Sequence, residues 1–338
     1  MSTTEHSSPR SHLTRLGSYL GLGIGVAGIA FLTRLVVRDW GEITDAVAAS
    51  RPGPLVASLA FGLCGMGTIG VTWVWLVRRT GSRLPVVRGL RWYFVGQLGK
   101  YIPGGIWPVV GRAELAVRGG VGRRAAYTTT ATSMLFTYLA AGVVAAALAP
   151  AALGVSLPVA IAGGAAVLGA VALALHPRVT GRLLDVGERV LRRPVLPSAP
   201  SWQTTLVTLV RHLPAWAAIV AATWAVSRAL SVSLDPLLVA AATPLAWLVG
   251  FMIIGLPSGV GVREAVFVAV VATESSDAQA LSVALLARMV FIGVDALGAL
   301  TASLATFALA PGPQALHSQA ARTEAPANAA SLGPDPRT

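Results

Sequence analysis

The sequence predicts an all-α polytopic membrane protein, with about six full transmembrane helices plus two re-entrant helical hairpins in an inverted repeat. Three observations predict it. Of 338 residues, 54% are hydrophobic and only 12% charged, against ~25% charged in an ordinary soluble domain. Apolar runs long enough to span a bilayer recur along the chain, where ~20 residues at 1.5 Å each are needed. The arginines sit in short clusters between those runs. The formal charge of +12, from 26 basic and 14 acidic residues, would otherwise suggest a nucleic-acid binder. Between spans, such clusters are instead topology signals and contacts for anionic headgroups, so membrane lipids are the expected partners and nucleic acid is not.

In chain order, clean runs fall at about 16–36, 54–77, 125–148, 156–175, 204–227 and 279–308. The first follows Arg10 and Arg15 but has no persuasive small-residue cleavage site, and Arg34 and Arg38 come directly after it. It is therefore expected to be retained rather than cleaved as a signal peptide. Two further apolar stretches are broken: 84–118 at Ile102-Pro103-Gly104-Gly105, and 236–273 at Leu256-Pro257-Ser258-Gly259. Residues 178–193 place Val179, Leu183, Val186 and Val190 on one helical face against several arginines, the pattern of an amphipathic helix lying on a leaflet. The expected organisation is a tail over 1–14, a transmembrane domain over 15–310 with repeats of about 15–150 and 151–310, and a disordered tail over 311–338 rich in Pro, Ala and Ser.

Orientation follows from the arginines. Loop 78–91 carries five, 112–124 four and 176–203 five, whereas 149–155 and 274–278 carry none. The positive-inside rule puts both termini and the three arginine-rich loops in the cytoplasm. That assignment requires each broken stretch to enter and leave on one side, the two from opposite faces. The alternative is that each is a pair of short full spans.

A shift of 154 residues brings Val95-Gly96 onto Val249-Gly250, Pro103 onto Pro257 and Gly105 onto Gly259. With a four-residue gap, Gly111 and Glu114 also match Gly261 and Glu264. Three net crossings per half invert one half relative to the other, and interrupted helices meeting near the midplane of such repeats mark transporter binding sites.

Charges near the bilayer centre cost roughly 2.5–3.5 kcal/mol each on insertion scales and are functional candidates by default. The candidates are Gln97, Lys100 and Tyr101 before the first break, Arg112 and Glu114 after it, Arg263 and Glu264 after the second, and Arg288 and Asp295 on the last span. Lys100 is the only lysine in the chain. Lysine, arginine and freed backbone N–H groups suit an anionic headgroup, while Gly104, Gly105, Gly259 and Gly261 would let the backbone bend. The plainer readings are Arg263–Glu264 and Arg288–Asp295 as structural pairs, a snorkelling Lys100, and a surface pair for Arg112 and Glu114.

Other chemistry finds little support. Gly23-Ile24-Gly25-Val26-Ala27-Gly28 matches a dinucleotide pattern but lies inside the first span with no strand before it, so helix packing explains it better. The five histidines are scattered without ligand spacing, and the single cysteine, Cys64, excludes a disulfide framework or a cysteine zinc site. Ser258 lacks the flanks of a nucleophile elbow. No metal or cofactor is expected, and no catalytic residue.

The stretches Gly96-Gln97-Leu98-Gly99-Lys100-Tyr101-Ile102-Pro103-Gly104-Gly105 and Leu256-Pro257-Ser258-Gly259-Val260-Gly261-Val262-Arg263-Glu264 resemble signatures in the membrane region of lysylphosphatidylglycerol synthases, the multiple peptide resistance factors, and their stand-alone relatives. The resemblance covers nearly all of 10–310, with Ser258 where that family usually has glycine. It implies a flippase-like region of the bacterial cytoplasmic membrane, and the chain's end about thirty residues after its last span implies the stand-alone form without the soluble aminoacyl-transfer domain. The expected function is translocation of an anionic or aminoacylated phospholipid or a polyprenyl-linked lipid. The alternatives are a membrane-embedded transferase and an accessory subunit for a separate lipid-modifying enzyme; a homo-oligomer is compatible with each.

Overall fold

The computed structural model describes residues 48, 50–102, 106–152, 154–174, 201–252 and 257–308. The expected first span, the surface helix at 178–193, the break residues Pro103, Gly104 and Gly105, and the tail at 311–338 lie outside the described residues. Every element described is helical. The helices are α1 (Pro52–Arg78), α2 (Val86–Gln97), α3 (Trp107–Arg118), α4 (Arg123–Ala152), α5 (Leu157–Ala174), α6 (Trp202–Ala229), α7 (Pro236–Met252), α8 (Val262–Val271) and α9 (Asp277–Ala308). Short 3-10 turns at Leu98–Tyr101 and Pro257–Gly259 follow α2 and precede α8.

Helices α1, α4, α6 and α9 are long and apolar enough to cross a membrane. Their outer faces leave large apolar side chains uncovered, among them Phe61, Leu135, Val210, Leu300 and Leu304. Such a surface is at home in lipid and not in water, and the chain is an integral membrane protein.

Small residues bring α1 and α6 together along their length. A Cβ on Gly65 would stand 2.8 Å from the Ile219 side chain and 3.0 Å from the Ala215 carbonyl oxygen. The two helices run antiparallel. The Arg51 amide donates to the Ala229 carbonyl at one end (2.9 Å), Ser58 Oγ to Ala222 (2.8 Å), and Arg79 reaches Thr204 at the other end (3.4 Å). Trp73 and Trp216 tie both to α4, through Thr130 Oγ1 (3.1 Å) and the Thr137 carbonyl (2.8 Å).

Each broken stretch folds into a helical hairpin. In the first, Gly99 backs onto Trp107, Gly96 onto Arg112 and Gly119 onto the Trp92 ring, so α2 and α3 run antiparallel with the break at the tip. In the second, Gly250 backs onto Arg263 and Gly259. Helices α2 and α3 have 12 residues each and α8 has 10. They rise only ~15–18 Å, well short of the ~30 Å hydrocarbon thickness.

Hairpin α2–α3 follows the C-terminus of α1, and hairpin α7–α8 follows the C-terminus of α6. Because α1 and α6 are antiparallel, the hairpins enter the bundle from opposite ends. Their 3-10 turns touch each other.

The packing reproduces the sequence repeat. Contact of α4 with α7 is mirrored by α9 with α2, that of α4 with α6 by α9 with α1, and both hairpins pack internally the same way. The 154-residue shift also brings Arg123 onto Asp277, the first residues of α4 and α9.

Replacing Gly65 by Ala is expected to force α1 and α6 apart and to cost about 1–3 kcal/mol. Gly67→Ala, which meets nothing within 4 Å, is expected to be neutral. Thermal unfolding of both variants in detergent checks the difference.

Candidate functional site

Between the hairpin tips lies a cavity of about 360 Å³, within the range of small-ligand sites. Its position follows from the helices that wall it: Met66 from the middle of α1, Tyr138 from the middle of α4, and Trp247 near the end of α7. Lys100, Arg112 and Arg263 all line it, and no carboxylate does among the described residues.

The second break shows why its residues have their spacing. Gly259 has φ +66° and lies where a Cβ would come 2.7 Å from the Gly250 backbone, so only glycine permits this close return. Gly261 (φ +83°) precedes α8 as its N-cap residue. Three residues on, Glu264 Oε2 accepts the Gly261 amide at 2.7 Å, the reach-back half of a capping box. Ser258 also takes a left-handed conformation, φ 51°, which costs a non-glycine residue roughly 1–2 kcal/mol.

Helix α9 ties both hairpins down. Arg288 Nη1 donates to Glu264 Oε1 at 2.5 Å. Two turns further on, Asp295 Oδ2 receives Lys100 Nζ at 2.6 Å and Tyr101 Oη at 2.6 Å. Asp295 is fully buried and Arg288 and Glu264 are 5% exposed. These pairings differ from Arg263–Glu264 and Arg288–Asp295, the structural pairs of the plainer reading. Neighbouring residues on a helix point ~100° apart and do not face each other, and residues seven apart sit ~10 Å apart along the axis. Each acid therefore finds its cation on another element.

Once those pairs are formed, Arg112 and Arg263 have no carboxylate partner among the described residues. Aromatic faces hold them instead. The Arg112 guanidinium lies 4.4 Å from the Tyr93 ring centroid and 5.5 Å from Trp73; Arg263 lies 4.0 Å from Trp247 and 5.7 Å from Phe291. Arg112 is 5% exposed, and its Nε has no hydrogen-bond partner. Gln97 donates to Tyr93 Oη at 2.7 Å, which fixes that ring.

The two arginines are related by the repeat. Tyr93 and Gly96 correspond under the 154-residue shift to Trp247 and Gly250, and each glycine receives the Cβ of one of the arginines. The sequence reading matched Val95-Gly96 with Val249-Gly250 but did not extend to the aromatics three residues before each glycine, which were the available signal. Its alignment of Glu114 with Glu264 does not carry over to the contacts. Glu114 lies outside the cavity lining and binds Arg123 (2.7 Å) and Tyr127 Oη (2.6 Å).

Of the remaining sequence candidates, Gln97, Lys100, Arg112, Arg263, Ser258 and Gly259 line the cavity. Tyr101, Glu264, Arg288 and Asp295 stand behind it as the ion-pair frame. Removing one partner of a buried pair strands the other's charge. Lys100→Met is therefore expected to cost about 3–5 kcal/mol. The double variant Lys100→Met/Asp295→Asn is expected to recover part of that loss, as read by denaturant unfolding in detergent.

No curated protein matches the chain. A family model does: the lysylphosphatidylglycerol synthase TM region, over residues 18–298. That match takes in both hairpins, α1, α4, α6, most of α9 and the cavity between them, and the chain belongs to this family.

Proposed function

We propose that the chain is a non-enzymatic lipid translocator. It takes the headgroup of an anionic lipid between two re-entrant hairpins, in a cytoplasmic membrane, with the arginine-rich ends of α1, α3 and α4 on the cytoplasmic side. One observation carries the reading: a cavity midway along the spanning helices holds two arginines without carboxylate partners. Burying an unmatched charge costs several kcal/mol, and an anionic headgroup is a counter-ion that the surrounding membrane supplies.

The cavity's shape supports a lipid over a soluble anion. Ile106, Phe251 and Met252 line it and are also 59%, 40% and 69% exposed. Its mouth is thus apolar and faces the outer surface of the bundle. A headgroup at the arginines could leave its acyl chains in the hydrocarbon, while a soluble anion would have to cross that mouth. The same placement supports re-entrant hairpins, since short helices with tips halfway along the spanning helices leave loose backbone only where protein surrounds a polar cavity.

Two measurements test the reading. In liposomes with labelled lipids, the wild type is expected to exchange anionic lipid between leaflets, with Arg263→Ala and Lys100→Ala at least tenfold slower. Exchange by wild type no faster than in empty vesicles would reject translocation. For the hairpins, single cysteines at Arg83 and Thr273 in a Cys64→Ala background are expected to react with impermeant reagents from opposite sides. Labelling of both from one side would remove the two-sided arrangement.

A further inference from the structure

Charge matching narrows the headgroup. We infer that the cavity is built for a phosphate headgroup with two or more negative charges, a lipid phosphomonoester or diphosphate, in preference to a singly charged phosphodiester or an aminoacylated one. The inference rests on the lipid reading above and goes further by fixing the charge class.

The charged groups around the cavity sit on the first tip, α3, α8 and α9; the other titratable groups near the arginines are Tyr93 of α2, Tyr138 of α4 and the buried His212 of α6. Lys100 on the first tip is neutralised by Asp295 of α9. Arg288 of α9 is neutralised by Glu264 of α8. Glu114 on α3 is engaged by Arg123 and Tyr127, away from the cavity. Two guanidinium charges remain, Arg112 and Arg263, both lining the same space. A phosphodiester brings one negative charge and leaves one arginine unmatched in a low-dielectric site. An aminoacyl ester of such a lipid adds a cationic amine and widens the mismatch, with no carboxylate on the cavity wall among the described residues to receive it. A phosphomonoester near full ionisation matches both, and a prenyl diphosphate supplies at least as much charge over the same pH range.

The donor geometry agrees. Arginine presents a planar fork suited to phosphate oxygens. The repeat supplies two such forks, each laid on an aromatic ring and backed by a glycine, one per hairpin. Lys100, paired with Asp295, lies on the same wall, 5.7 Å from the Trp247 ring that also carries Arg263.

The test uses the full chain in nanodiscs and compares four probes: phosphatidic acid, a prenyl diphosphate, phosphatidylglycerol and lysylphosphatidylglycerol. Binding is read by native mass spectrometry and by shift in melting temperature. At about pH 8, where a phosphomonoester is close to dianionic, phosphatidic acid and the diphosphate are expected to bind at least tenfold tighter than phosphatidylglycerol. At about pH 5 phosphatidic acid falls to one charge and its advantage should disappear, while the diphosphate keeps its own. Arg112→Gln and Arg263→Gln should each erase the preference, with unchanged helical circular dichroism showing that the variants are folded. Phosphatidylglycerol or its lysyl ester binding as tightly as the dianionic lipids would overturn the charge class and leave the lipid reading standing. No binding by any of the four would overturn both.

Discussion

Helix α9 holds the site together through two ion pairs, one buried on both sides and one built on a fully buried carboxylate. Asp295 receives Lys100 and Tyr101 from one hairpin tip, and Arg288 binds Glu264 at the base of the other hairpin's outgoing helix. Neither hairpin contains a helix long enough on both arms to span a bilayer, so neither is held in place by its own apolar length. Each depends on a charge supplied by the same neighbour. Buried pairs of this kind add little net stability over well-packed apolar residues, but half of one is very costly. Their effect is to specify the arrangement: a tip that slips from α9 leaves a carboxylate or a guanidinium stranded in the core.

That constraint separates the frame from the site. Glu264 spends one oxygen on the amide that opens α8 and the other on Arg288, so both oxygens serve the anchorage. The glycines before it allow the tight return. The stretch from Pro257 to Glu264 thus reads as the construction of a hairpin and its anchorage. The charges left over, Arg112 and Arg263, lie outside the anchoring contacts, and the positive character of the cavity comes from them.

The sequence made much of this legible for a physical reason. Apolar length and arginine clustering are set by the bilayer itself, so the five long runs within the described residues appear as helices α1, α4, α5, α6 and α9 within a few residues of their predicted bounds. The breaks at Pro257-Ser258-Gly259 and before Trp107 were legible because proline and glycine end helices. Partner choice was not legible. Which carboxylate meets which cation depends on the rotation of each helix, and one residue of register turns a side chain by ~100°. The gapped match of Glu114 with Glu264 rested on identity. The contacts instead set Arg112 against Arg263, one residue away from that alignment, and Glu114 faces Arg123 and Tyr127.

The repeat also explains why the unmatched arginines come as a pair. A duplicated hairpin carries its aromatic ring, its glycine and its arginine twice, and when the tips meet, the two guanidinium groups face one cavity. Like charges brought together in a medium of low dielectric repel, and only a shared counter-ion turns that repulsion into attraction to a common centre. The two copies have diverged around this core: Tyr93 stands where the other has Trp247, and Lys100 anchors one tip where the other is held through Glu264. Different anchors on equivalent hairpins allow one to loosen without the other, because the loss of Lys100 from Asp295 leaves Arg288 and Glu264 joined. A ligand anion competing with Asp295 for Lys100 would act on the first hairpin alone. The fold thus sets two equivalent arginines beside two different anchors.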